Sequence, residues 1–356
     1  MELKEFESWY KDRRPSYEAF TEIVRGMVES LMRQKRIVFL SVTGRAKTVD
    51  SAVEKARSKS YQDASTETHD LSGIRIITFI ESDVTKACEV VTSCFNVHPD
   101  ESVNKSAQLG VDRIGYRSMH YVCDLGKNRL KLPEFAPYVD MVFEVQIRTT
   151  LQHAWAEIEH DRNYKFSREL PANLQRRLHL AAGLLEVADR EFDWIAKEIE
   201  EYSKEVTRKA VRGDLQIGID TVSLPAFLKA YLRSYLKSKV THNQMLKIHL
   251  TNDASLLEMT VRELIDYGIT SFEAFDKLVT AEFCRHFLES GVSVTESGFV
   301  RLVLMFADLE RYLDKSWQKH WQALSPKMIA LLSAKYGSRH LANILRQYKI
   351  DTNGSE

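Results

Sequence analysis

Between Tyr138 and Lys165 the chain reads YVDMVFEVQIRTTLQHAWAEIEHDRNYK, and its hydrophobic period changes midway. Up to Arg148 apolar and polar residues alternate, the period of a strand with two unlike faces. From about residue 149 the apolar residues return at helical steps instead. A strand running directly into a helix, in a chain with several such pairs, points to a sheet covered by helices. On this strand Val139, Met141, Phe143, Val145 and Ile147 share one face, and Asp140, Val142, Glu144, Gln146 and Arg148 share the other. A plain half-solvated strand produces the same alternation, so the polar face needs support from elsewhere in the chain.

The segments before it supply that support. The first forty residues are helical in pattern, with Tyr17, Phe20, Ile23, Val24, Met27 and Leu31 forming a stripe. RIVFLSVTGRAK, SGIRIITFI and GYRSMHYVCDL read as strands, and TVDSAVEKARSKSYQ and DVTKACEVVTSCF as helices. A long helix follows over 172–209, with Leu180, Leu184 and Val187 expected to face inward. Composition shifts near RKAVRGDLQIG, beyond which strand signals thin out and short helical runs dominate. The expectation is an α+β chain: a mixed β-sheet flanked by helices over 1–210, followed by a mostly α-helical C-terminal domain over 211–356.

Bulk properties remove several classes. At 356 residues the chain is long enough for two cores. Lys+Arg and Asp+Glu both number 50, so net charge does not single out nucleic acid. Cys88, Cys94, Cys123 and Cys284 lack C-x-x-C or zinc spacing, as suits reduced thiols. The charged start MELKEFESWYKDRRP has no signal core, and no apolar run approaches a membrane span. A cytoplasmic protein with no membrane partner is expected.

The polar residues on the strands carry the chemistry. TGRAK puts Arg45 and Lys47 on one side of a strand, and Ser51 and Lys55 follow at i, i+4 on the next helix. Asp70 stands just before the strand SGIRI. In GYRSMHYV, Tyr116, Ser118 and His120 share a face. One acid from each of two strands, ringed by bases, is a layout for metal-bridged phosphate chemistry. Other readings are weaker. His153, Glu157 and His160 lie on one helical face, but H-x-x-x-E-x-x-H is not the H-E-x-x-H zinc spacing. Neither G-x-x-x-x-G-K-[ST] nor G-x-G-x-x-G occurs, which excludes a P-loop and a dinucleotide fingerprint.

Taken in order, GRAKTVDSAVEKARSK, HDLSGIRIITF, GYRSMHYV and EVQIRTTLQHAWAEIEHDRNYK resemble the synthetase domain of the RelA/SpoT family, the alarmone (guanosine tetra- and pentaphosphate) synthetases. The resemblance spans about residues 40 to 165 and implies a nucleotidyltransferase-like mixed sheet. It further implies a Mg²⁺-dependent transfer of pyrophosphate from ATP to the 3′-hydroxyl of GDP or GTP. By the same resemblance Asp70 is the principal Mg²⁺ ligand and Glu144 the second carboxylate, a ligand or the proton acceptor. Arg45 and Arg75 would sandwich adenine, and Lys47, Ser51 and Lys55 would hold the ATP phosphates. Tyr116 would stack on guanine, with Ser118, His120, Gln146, Arg148 and His153 completing the acceptor side and Lys165 nearby. Small members often form homo-oligomers, so self-association is expected too.

The chain departs from the family in three ways. Nothing upstream has room for the hydrolase domain of the long members, so alarmone hydrolysis is not expected. NKSAQLGVDRIGYRS offers only Lys105 and Arg113 where many small members carry a lysine-rich run, which weighs against GTP as acceptor. Residues 315–349 hold seven Lys/Arg and no acid, interleaved with Trp317, Trp321, Tyr336 and Tyr348. That combination raises an alternative, a toxic synthetase that pyrophosphorylates the tRNA 3′ end, with the C-terminal domain as an inhibitory sensor. The competing account of the same stretch is a solvated helical face with Trp317 and Trp321 in the core.

Overall fold

The computed structural model describes residues 2–104, 118–165, 171–235, 247–251, 253–317, 321 and 323–351. The chain divides into two units, Met1–Ala196 and Lys197–Glu356.

The first unit opens with helix α1, Leu3–Gln34, whose buried residues Phe6, Tyr10, Tyr17, Phe20, Val24, Val28 and Met32 recur at steps of three, four or seven. That spacing makes one stripe along a helix. Ile23, Met27 and Leu31 flank it, half-buried. The stripe covers a six-stranded sheet of order β1-β2-β6-β5-β3, with β4 also on β5. The strands are β1 Phe39–Ala46, β2 Ser72–Thr78, β3 Asn96–Val97, β4 Val103–Asn104, β5 Met119–Asp124 and β6 Phe143–Thr149. Only β2 and β6 pair in parallel; the remaining pairs are antiparallel. On β2 and β6 the buried Ile74, Ile76, Val145 and Ile147 share the face that α1 covers. Helix α1 crosses β1 so closely that a Cβ on Gly44 would come within 2.9 Å of Thr21 Cγ2. That approach requires glycine there.

Among the described residues, α2 Val49–Lys59 and α3 Ala64–Glu67 join β1 to β2, α4 Glu81–Cys94 follows β2, and α5 Thr150–Lys165 follows β6. Helix α6, Ala172–Arg212, leads out. Two details differ from the sequence expectation. Strand β6 begins at Phe143 rather than near Tyr138, because Ala136–Tyr138 form a 3₁₀ turn around Pro137. Proline has no N–H to give a ladder, and Val139 is 58% exposed. On α6, Leu180, Leu184 and Val187 point outward, 56%, 73% and 55% exposed. The face turned inward carries Ala182, Asp189 and Asp193. Asp189 accepts a hydrogen bond from the Thr149 hydroxyl (2.7 Å), and Asp193 from the Ser82 backbone N–H (2.8 Å). Helix α4 has no side-chain cap from its own N-cap residue Ile80, so Asp193 satisfies an amide left orphaned at its start. Specific hydrogen bonds, not apolar area, choose which side of α6 docks.

The second unit is helical, with a two-residue parallel pairing of Ile248–His249 and Val294–Thr295. Asp253, Ser271, Thr280, Thr295 and Ser325 each cap a helix through their side chains. Its core is aromatic: Phe227 stacks on Phe272, and Phe283 meets Phe287, Phe299 and Phe306. Glu263, fully buried, accepts from Arg301 Nε at 2.9 and 3.1 Å. The aromatic residues of 315–349 pack against this core. Trp317 donates its indole N–H to Trp321 O, the Tyr336 hydroxyl donates to Met305 O, and the Tyr348 hydroxyl donates to Asp314. Among the described residues no helix is long and apolar enough to cross a membrane.

Candidate active site

Sheet register assembles one polar face. Arg45, Gly73, Glu144 and Val122 lie in one row across β1, β2, β6 and β5, and Thr43, Arg75, Gln146 and His120 in the next. Directly paired residues project to the same side of a sheet, so Arg45, Arg75, Glu144, Gln146 and His120 converge. Gly73 leaves the position between Arg45 and Glu144 without a side chain. A Cβ there would meet only the Arg45 carbonyl, at 3.6 Å.

Asp70 closes the edge of this face. The chain leaves β1 at Lys47, caps α2 with the Thr48 hydroxyl (Ser51 N–H at 3.3 Å) and carries Lys55 one turn later. Lys47 Nζ and Lys55 Nζ both reach Asp70 Oδ2, at 2.6 and 2.9 Å. Asp70 Oδ1 is buried and has no hydrogen-bond partner among the described residues. A buried carboxylate oxygen without a donor is costly, and a hard cation is the natural occupant for such an oxygen. The donor set therefore fits Mg²⁺ at Asp70.

Glu144 is held differently. His120 Nδ1 lies 2.7 Å from its Oε1, and Gln146 Nε2 donates to its Oε2 at 2.9 Å. Arg148, 4% exposed, donates in turn to the Gln146 carbonyl oxygen. Burial raises the Glu144 pKa, but the hydrogen bond and charge of His120, the Gln146 amide and the Lys55 charge outweigh it and bring the value down to about 2. Lys55 is thus common to both acids: it touches Asp70 and lies close enough to Glu144 to act on its charge. His120 Nε2 is buried without a partner.

A second cluster stands toward α5. Arg75 Nη1 pairs with Glu157 Oε1 at 3.0 Å. His153 Nδ1 lies 3.6 Å from the same oxygen. Burial, with Arg75 and Arg148 nearby, lowers the His153 pKa, and Glu157 opposes the shift. Glu157, weighed in the sequence as a zinc ligand, is thus committed to a guanidinium. Among the described residues no group of His, Cys, Asp and Glu is arranged to hold a metal by itself, so any ion at Asp70 would complete its shell with water or substrate oxygens.

The structure brings Arg45, Lys47, Lys55, Asp70, Arg75, His120, Glu144, Gln146, Arg148 and His153 to one region of the first unit. Ser51 accepts from the Thr48 hydroxyl at 2.8 Å. Ser118 is buried, its hydroxyl without a partner. Tyr116, Lys105 and Arg113 lie outside the described residues, as do the side chains of His160 and Lys165. Sequence reading missed Tyr10, whose hydroxyl donates to Lys47 O at 2.8 Å. It also missed Asp189 and Asp193. Tyr10 looks like any aromatic on an amphipathic stripe, and no spacing links position 10 to 47.

The chain is similar to known proteins over this region. A family model described as "Region found in RelA / SpoT proteins" matches residues 44–169. GTP pyrophosphokinase YjbM of Bacillus subtilis (strain 168) is 32% identical over 171 residues, covering 47% of this chain and 77% of that protein. GTP pyrophosphokinase YwaC of the same organism is 29% identical over 162 residues, covering 44% and 73%. The crystal structure of small alarmone synthetase 1 from Bacillus subtilis matches with 28% identity and a TM-score of 0.45, covering 55% of this chain and 98% of that one. At 32% identity over 77% of YjbM, and with the family region at 44–169, the chain belongs to the RelA/SpoT family and is a pyrophosphotransferase.

Proposed function

We propose that the chain transfers the β,γ-diphosphate of ATP to the 3′-hydroxyl of GDP or GTP, making a guanosine 3′-diphosphate alarmone with AMP as the other product. One observation carries the reading: Lys47 and Lys55 share one oxygen of Asp70 while its other oxygen is buried and unpartnered, and Glu144 feels the same Lys55. ATP brings about four negative charges, and a site for it needs a divalent cation and fixed bases. Asp70 would ligate Mg²⁺ and Glu144 would stand beside it as a second carboxylate; the ion, when bound, would offset phosphate charge and polarise the scissile bond.

The chain's own residues do the rest. Lys47 and Lys55, drawn to Asp70 without nucleotide, turn to the phosphate oxygens. Arg45 and Arg75 offer flat guanidinium planes to adenine. His120 and Gln146 fix the Glu144 carboxylate. At a pKa of about 2, Glu144 serves better as a fixed negative charge than as a base, because a general base works best near the operating pH. As the 3′-oxygen bonds to Pβ, the bond from Pβ to the bridging oxygen breaks, AMP leaves with that oxygen, and the hydroxyl proton is released. The free thiols of Cys88, Cys94, Cys123 and Cys284 support a cytoplasmic setting for the reaction.

The test is incubation of purified protein with Mg²⁺ and γ-labelled ATP, offering GDP, GTP or deacylated tRNA. Label on a guanine nucleotide is expected; label on none of the three overturns the reading. Transfer to tRNA is the weaker expectation. The rings that motivated it, Trp317, Trp321, Tyr336 and Tyr348, are engaged in packing and hydrogen bonds within their own unit, whereas base stacking needs free ring faces.

A further inference from the structure

We propose that Tyr10 is a positioning residue for this transfer: its hydroxyl anchors the Lys47 carbonyl to α1 and so helps set where the Lys47 ammonium and the Asp70 carboxylate meet. The inference rests on the proposed function and adds to it a side chain from α1, outside the strands that carry the polar face.

The phenol is fully buried, its ring stacked on Phe6 and edge-on to Tyr17. Its hydroxyl lies 2.8 Å from Lys47 O and 3.4 Å from Leu71 O. A phenol has one proton, so it donates chiefly to the nearer carbonyl and only grazes the second. Arg14 Nε, one helical turn on, adds a donor to Lys47 O at 3.4 Å, and Lys47 N–H donates to Leu71 O at 2.9 Å. These contacts fall where the ladder of β1 and β2 runs out, since Ala46 opposite Ser72 is its last pair. Past the Lys47 N–H to Leu71 O bond the sheet no longer fixes the backbone, and α1 holds the Lys47 carbonyl while Lys47 Nζ meets Asp70 Oδ2 at 2.6 Å. The clamp therefore sits between the end of the sheet and the first charged groups of the site. A displacement of about 1 Å in such groups costs on the order of a hundredfold in rate, and a tether that removes only part of that freedom has a smaller effect.

Tyr10→Phe keeps the ring and removes the tether. In the full chain, with GDP as acceptor, it is expected to lower kcat about tenfold and raise the Mg²⁺ concentration for half-maximal rate severalfold, with KM for GDP within about twofold. Tyr17→Phe, on the same stripe, is expected to stay within about twofold in all three. Combined with Lys47→Met, Tyr10→Phe should add less than about twofold, because the two act through one contact. Arg14→Ala, half-exposed, should shift the Mg²⁺ dependence in the same direction by about twofold, and it decides the matter if Tyr10→Phe does not fold. Unchanged kcat and Mg²⁺ dependence in Tyr10→Phe overturn the inference, as does activity lost only in step with the folded fraction while Arg14→Ala is silent. A wild type that transfers nothing overturns the proposed function and this inference with it; an active wild type with an indifferent Tyr10→Phe overturns this one alone.

Discussion

Asp70 in the first unit and Glu263 in the second are both carboxylates that meet cations from distant segments, yet their surroundings differ in kind. Glu263 is fully buried, and both its oxygens accept from the single guanidinium of Arg301. Burial raises its pKa and Arg301 counters the shift, so the pair is matched charge for charge. Asp70 has one oxygen crowded by two ammonium groups and the other bare. Around it Arg45, Lys47, Lys55, Arg75 and Arg148 outnumber Asp70, Glu144 and Glu157. The Glu263–Arg301 pair balances its own charge, although Arg301 Nη2 is buried without a hydrogen-bond partner among the described residues. A site keeps surplus charge of one sign and an unmet oxygen, and a surplus of positive charge in a cleft attracts polyanions.

That contrast is exposed to experiment most severely at Asp70. Asp70→Asn should lower pyrophosphate transfer by about a thousandfold or more, with little change in melting temperature, since the lost ion pairs are offset by no longer burying an unpartnered carboxylate oxygen. Rates with labelled ATP and a thermal melt read both; a large loss of stability with modest loss of rate would make Asp70 structural, like Glu263. Next comes Arg301→Leu, which strands a buried carboxylate and should cost the second unit about 3–5 kcal/mol in urea denaturation. Adding Glu263→Met should recover most of that, because an apolar pair of similar volume replaces a buried ion pair.

A pH series sharpens the comparison further. The folded pKa of Glu144 is depressed from 4.5 to about 2, so its contribution is present above the unfolded value and is lost as pH falls toward the folded one. The expected contribution, on the order of 3 kcal/mol at neutral pH, should disappear between about pH 4.5 and 2. The urea midpoints of wild type and Glu144→Gln should therefore draw together in acid; a gap unchanged at pH 3 would contradict the assignment. The smallest effect is expected at Asp193→Ala, which removes the acceptor for the Ser82 amide and should cost about 1 kcal/mol. Faster amide exchange confined to the first turn of α4 would register it.

Much of the first unit was legible because its signals are local. Period-two alternation put Glu144, Gln146 and Arg148 on one face, and the structure keeps them on a chain of hydrogen bonds. Alternation failed at Val139, where Pro137 ends the ladder. Helical period failed at Leu180, Leu184 and Val187, because Asp189 and Asp193 gained hydrogen bonds that no apolar pattern records. In the second unit a basic, aromatic segment allowed two readings, a nucleic-acid surface or a solvated helical face with Trp317 and Trp321 in the core, and packing favours the second.

From sequence alone came the order of strands and helices, the polar face of each strand and the family, because those depend on residue spacing within single elements. Tertiary structure alone decided that Lys47 and Lys55 share Asp70, that Glu157 answers Arg75, that α6 docks by its acids and that Tyr10 reaches Lys47 and Leu71. Those contacts join segments tens of residues apart in sequence. Which segments meet is set by strand pairing and packing, and no local period encodes it.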